Sequence, residues 1–175
     1  MNLADANKDI ISRISSALAR QQEDGDSSSA PRVQFLVFSV ADGLYGVNIL
    51  DTHEILRPTV ITRLPNVEAE ILGVINLRGN IIPVIDLTKK FADEYAELSE
   101  FSRVVVCRQD GKFFGVLVDR VIEVANILET AIEWKEVKNL SSDFVGGVGR
   151  SEKNLFLVMN LAALLARESE LDPHG

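Results

Sequence analysis

Few side chains in this 175-residue chain are of a type that does chemistry, and their spacing rules out most of that chemistry. The one cysteine, Cys107, sits in the apolar run from Arg103 to Cys107 and reads as a small buried hydrophobe without a disulfide partner. The two histidines, His53 and His174, stand too far apart for a histidine-based metal site, so no metal is expected. There is no Gly-x-Ser-x-Gly elbow, no Walker loop, no His-Glu-x-x-His and no Cys-x-x-Cys, and hence no catalytic residue and no cofactor site is expected. Asp119 and Glu123, four apart on a strand, share a face and read as solvated carboxylates, not as an acid pair.

What remains is an arginine on a rigid support. In Gly73-Val-Ile-Asn-Leu-Arg-Gly-Asn-Ile-Ile-Pro-Val-Ile-Asp-Leu87 two apolar strands flank Arg78-Gly79. Gly79 permits positive φ in the turn, and Arg78 projects from the rim, where its planar fork suits a carboxylate. Pro83 cannot donate to a sheet ladder and is expected at an edge or bulge.

The elements that must hold this hairpin are short β-branched runs broken by turn residues, the pattern of an all-β domain. Strands are expected over 33–40, 44–50, 52–57, 71–77, 80–86, 102–108, 112–118, 120–126, 144–149 and 154–159. Asp42-Gly43 and Asp110-Gly111 mark tight hairpins. The pattern repeats: Gly46 and Gly115 lie 69 residues apart, as do Glu54 and Glu123, while Gly73 and Gly147 lie 74 apart, as do Asp86 and Asn160. Asp86 and Asn160 are placed as N-caps of short helices over 87–91 and 161–167. Two halves, 33–91 and 102–167, joined by an acidic connection over 92–100, imply two small β-barrels sharing an interface, with room for strands to be exchanged.

Ahead of this body, Leu3, Ile10, Ile14 and Leu18 fall on one helical face over residues 1–24, and a Gly/Ser/Pro linker runs over 25–31. The domain is therefore expected over 32–168, with a tail over 169–175, and deletion of residues 1–31 is expected to leave the melt unchanged. A net charge of −8 and a pI near 4.8 argue against nucleic acid and anionic membrane as partners. No window is apolar enough to span a bilayer and no secretory pattern opens the chain, which points to a cytoplasmic, unanchored protein. Trp134, the one tryptophan, is either half-buried cover over the second barrel or an exposed anchor for a partner.

Phe35-Leu-Val-Phe, Tyr45-Gly-Val, Glu54-Ile55 and above all Asn76-Leu-Arg-Gly-Asn-Ile-Ile-Pro-Val-Ile-Asp-Leu87 resemble the chemotaxis coupling proteins of the CheW family, in order and spacing, from about Val33 to Ala166. The resemblance implies two SH3-like five-stranded barrels packed together and a non-enzymatic adaptor. Its implied partners are the cytoplasmic tips of methyl-accepting chemoreceptors and the CheW-like regulatory domain of the histidine kinase CheA, with self-association into rings and recruitment to membrane-associated arrays. Carried over residue by residue, Glu54 and Arg78 match a pair beside the receptor-binding groove, and Gly73, Asn76 and Gly79 match neighbours in that motif. Thr52 stands where the family has an aliphatic residue. Ile49, Leu50 and Ile55 are expected to give the groove its apolar surface. The alternatives are a paralogue serving a non-flagellar chemosensory pathway and, remotely, a hydrolase using the cleft between the barrels.

Overall fold

The computed structural model describes residues 30–58, 61–134 and 144–169, among which ten strands form. In chain order they are β1 (Arg32–Val40), β2 (Gly43–Asn48), β3 (Thr52–Leu56), β4 (Ile71–Leu77), β5 (Asn80–Asp86), β6 (Arg103–Gln109), β7 (Lys112–Val118), β8 (Arg120–Leu128), β9 (Val145–Arg150) and β10 (Leu155–Met159). Helices α1 (Leu87–Ala92) and α2 (Leu161–Ser169) follow β5 and β10. The helix expected over 1–24 lies outside the described residues. Pro31 ends the linker against the body, its carbonyl accepting the Glu129 N–H at 3.0 Å. No helix among the described residues is long and apolar enough to cross a membrane.

The strands form two five-stranded sheets, ordered β8-β1-β2-β10-β9 and β3-β6-β7-β5-β4. Advancing each strand of the second sheet by five places around the cycle of ten turns it into the first, so the barrels are internal repeats. Each takes two strands from one half of the chain and three from the other. The exchange explains why β1 and β6 can be apolar on both faces. Phe35 and Val37 point into one barrel with Phe156 and Val158, and Val104 and Val106 point into the other with Ile82 and Val84. Leu36, Phe38, Val105 and Cys107 point the opposite way and meet in a cluster between the barrels. A strand buried on two faces reads as a continuous apolar run.

Four local readings are corrected. The β2 run stops at Asn48, whose Oδ1 accepts the Leu50 N–H at 3.0 Å and opens a 3₁₀ turn over Ile49–Asp51. In the first hairpin, positive φ falls on Ala41 and Asp42 (47° and 67°), not on Asp42-Gly43. Gly43 instead pairs with Val40 in the ladder. Ala41 is held in this costly conformation by Asp119, whose Oδ2 accepts its N–H at 2.9 Å, so Asp119 is a turn clamp and not merely solvated. Pro83 lies neither at a sheet edge nor at a register shift. It pairs with Val74, whose own N–H and C=O both turn outward to Thr62, so the pair exchanges no bonds across β4 and β5. The β5–β7 ladder begins only at Val84, and no donor is missed.

Candidate functional site

The β4–β5 turn consists of Arg78 and Gly79, with φ of 51° and 88°. Two successive positive φ values make the tight connection whose twist suits a hairpin, and they aim Arg78 off the end of the sheet. Asn76 locks the turn by accepting the Gly79 N–H on Oδ1 at 3.0 Å. Glu54 approaches from β3, at the other edge of the same sheet, where it pairs with Val106 of β6 just past a register shift. Arg78 Nη2 and Glu54 Oε2 stand 4.0 Å apart, with the two side chains 74% and 26% exposed. The pair is an ion pair without a hydrogen bond, because Glu54 Oε2 is buried and accepts none among the described residues.

Thr52 begins β3 and donates its hydroxyl to the Asn48 carbonyl at 3.4 Å, tying the strand to the 3₁₀ turn. Leu50 on that turn is 63% exposed and supplies apolar surface, whereas Ile49 and Ile55 are buried and support it from beneath. Ile55 points inward because its neighbour Glu54 points outward, and alternation along a strand allows only one of the two faces to meet a partner. Gly73 is also buried, and a Cβ there would clash with the Thr62 carbonyl oxygen. Its requirement is close backbone approach. Ile81 is a residue the sequence reading missed: it is 66% exposed on the hairpin that carries Arg78. Its signal was available, since Ile82 and Val84 at alternate positions of β5 point inward and Ile81, on the opposite parity, must point outward.

A cavity of about 410 Å³ lies elsewhere and is lined by Phe35, Asp51, Trp134, Met159 and Leu161 among others. Burial holds the Asp51 carboxyl above its usual range. Trp134 is 58% exposed, so it is not a covered core residue. None of the residues expected to bind the receptor lines this cavity. The exposed polar rim on β3 and the β4–β5 turn therefore suits docking of a surface, not enclosure of a small molecule.

Comparison with known proteins gives one consistent result. The family model described as a CheW-like domain matches residues 34–169. The chemotaxis protein CheW of Helicobacter pylori is 30% identical over 163 residues, covering 92% of this chain and 96% of that one. The Klebsiella aerogenes protein of the same name is 31% identical, covering 77% of this chain and 82% of its own. Among solved structures, the scaffolding protein TtCheW of Thermoanaerobacter tengcongensis superposes with a TM-score of 0.69 at 36% identity, covering 77% of this chain and 88% of that one.

Proposed function

The chain belongs to the CheW-like domain family and is a chemotaxis scaffold, and from that premise we propose that it couples the tips of chemoreceptors to the histidine kinase CheA. The observation that carries this reading is the convergence of Glu54 and Arg78 at 4.0 Å, from β3 and from the β4–β5 turn, with exposed Leu50 and Ile81 on the same two elements. A receptor tip is a helical hairpin. Its apolar stripe fits against Leu50 and Ile81, and the charged pair sets its register. The kinase's CheW-like regulatory domain meets the barrel ends, as a heterologous contact that closes into rings when repeated, with further copies of this chain able to take its place. Control of the kinase is then a matter of geometry, without turnover by this chain, in arrays to which receptors recruit it.

The test is a pull-down of the tagged chain with the kinase regulatory domain and a receptor tip fragment, with Arg78→Glu as control. Both partners are expected to be retained by the parent, and the receptor fragment alone to be lost by the variant. Arg78 is largely exposed, and its pair is worth about 0–1 kcal/mol, so the variant should melt within a few degrees of the parent. A collapsed melt would make Arg78 structural, and failure to retain either partner would remove the coupling reading.

A further inference from the structure

The two barrels carry the same irregularity at the same place and fill it with different chemistry. In β3 the ladder steps from Thr52 opposite Cys107 to Glu54 opposite Val106, and in β8 it steps from Val121 opposite Phe38 to Glu123 opposite Val37. His53 and Ile122 are therefore the extra residues of two bulges, 69 positions apart. The same shift of 69 carries the cross-strand pair Ser39 and Leu44 onto Arg108 and Phe113. One barrel thus has Ile122, Leu44 and Ser39 at these places, and the other has His53, Phe113 and Arg108. In the second set the three side chains meet. The His53 and Phe113 rings stand 4.9 Å apart at 65°, and the Arg108 guanidinium lies 5.6 Å from the centre of the same Phe113 ring. Arg108 follows Val106 by two residues, so it leans to the side of the barrel that Phe113 packs against, and the bulge turns His53 that way together with Glu54.

This stack continues the candidate docking rim. His53 joins Thr52 to Glu54 on β3. Val84 of β5 pairs with Gly115 of β7, and Ile82 and Phe113 each stand two residues before that pair, so the hairpin that carries Arg78 and Ile81 rises alongside the ring. His53 and Arg108 are exposed, and Phe113 is half-buried. A ring face attracts a guanidinium and leaves its N–H donors open, and among the described residues no carboxylate stands within ion-pair range of Arg108. Phe113 thus fixes where this charge stands without neutralising it, and an arginine already held gives up less freedom when it docks. We infer that Arg108, positioned by Phe113 and His53, is a further charged contact of the docking face, and that it takes a carboxylate, from Asp or Glu, on the receptor helix that lies over β3 and the β4–β5 turn. The assignment of the carboxylate to a receptor rests on the coupling reading above; the stack does not. A carboxylate fits because it can accept two parallel bonds from the guanidinium fork, whereas a cation would meet Arg108 and exposed Lys112, with only Asp110 in the adjoining turn to offset them. The other barrel, with Ser39 and Leu44 at these places, offers no such contact.

The experiment grafts the other barrel's residues onto the stack in the full chain and titrates each variant with a soluble receptor tip fragment at low and high salt. Arg108→Ser should bind about tenfold more weakly than the parent, Arg108→Lys should fall between them, and Arg108→Glu should bind most weakly. Added salt should weaken the parent more than Arg108→Ser. Phe113→Leu removes the ring and should bind about threefold more weakly, whereas Phe113→Tyr keeps the ring and should bind like the parent. In the Phe113→Leu background Arg108→Ser should cost less than it does in the parent. Arg108 is exposed, so its variants should melt within a few degrees of the parent, which assigns their losses to the contact and not to folding. Equal binding by the parent and Arg108→Ser, or tighter binding by Arg108→Glu than by Arg108→Ser, overturns the carboxylate contact. An Arg108→Ser loss undiminished by Phe113→Leu overturns the positioning by the ring. If the parent does not bind the fragment, the coupling reading fails and takes the receptor carboxylate with it, a result distinct from a parent that binds and an Arg108→Ser variant that binds equally well.

Discussion

Asp86 is 1% exposed, and its two oxygens accept backbone N–H groups from separate segments, Lys89 at 3.3 Å and Ala96 at 3.0 Å. One bond caps α1, as the spacing predicts, and the other pins the acidic connection between the halves, which no local pattern shows. Asp86→Ala strands both donors, and a loss of about 3 kcal/mol, or roughly 6–12 °C of Tm, is expected by thermal melting. Asp86→Asn keeps one acceptor and should lose about half as much. Cys107 gives a pH signature at the same scale. Complete burial, and secondarily the charge of Asp51, push its thiol up to about 12 from 9.0. The folded protein thus holds this proton where the unfolded chain has released it. The stability it contributes is full below about pH 9 and is lost as pH rises toward 12. Cys107→Val, measured by denaturant titration from pH 8 to 10.5, should show a flatter alkaline decline than the parent; an identical decline would assign the slope to other groups.

Between elements, the close approach at Gly73 decides whether the edge of β4 is covered. Thr62 and Val74 exchange both backbone hydrogen bonds at 2.8 Å, and a methyl group at Gly73 would strike the Thr62 carbonyl. The second half repeats the device: Glu133 and Val148 exchange bonds at 2.9 Å, and Gly147 meets the Glu133 carbonyl. Gly73→Ala and Gly147→Ala should each cost about 2 kcal/mol or more by denaturant melts, whereas Gly146→Ala, whose nearest neighbour would be 3.8 Å away, should be tolerated. Strand positions and the repeat were legible in the sequence because β-branched runs and turn residues are local signals. The covering bridges were not, since Thr62 and Glu133 each pair as one residue outside any run. The site was legible in part for the same reason. Arg78 stands on a turn with a strong local signature, whereas the inward direction of Ile49 and Ile55 depends on packing against strands far along the chain. The turn at Ala41-Asp42 escaped because its cost is offset by Asp119, 78 residues away.

For the molecule as a whole, exchange of strands makes the halves interdependent. Within the described sheets β3 pairs only with β6, and β2 meets β10 on the side away from β1. A first half alone would have β3 without a partner and β5 without β7, and Leu36 and Phe38 would lose Val105 and Cys107 from the shared cluster. Neither half could bury enough apolar surface to offset its chain entropy. One cooperative transition is therefore expected for the intact chain, with calorimetric and van't Hoff enthalpies that agree. The sharper test cuts the connection between Glu97 and Leu98, where the backbone is exposed and lies beyond the Asp86 bond to Ala96. Fragments 1–97 and 98–175 should each lack a melting transition by circular dichroism, and should recover the parent's spectrum and a single transition when refolded together. A fragment that melts cooperatively by itself would show that one half holds a barrel of its own. The docking rim would then rest on β3, β4 and β5 alone. If both fragments are needed, Glu54 depends on β6 of the second half for its strand partner, so the proposed receptor face exists only when the two halves are joined.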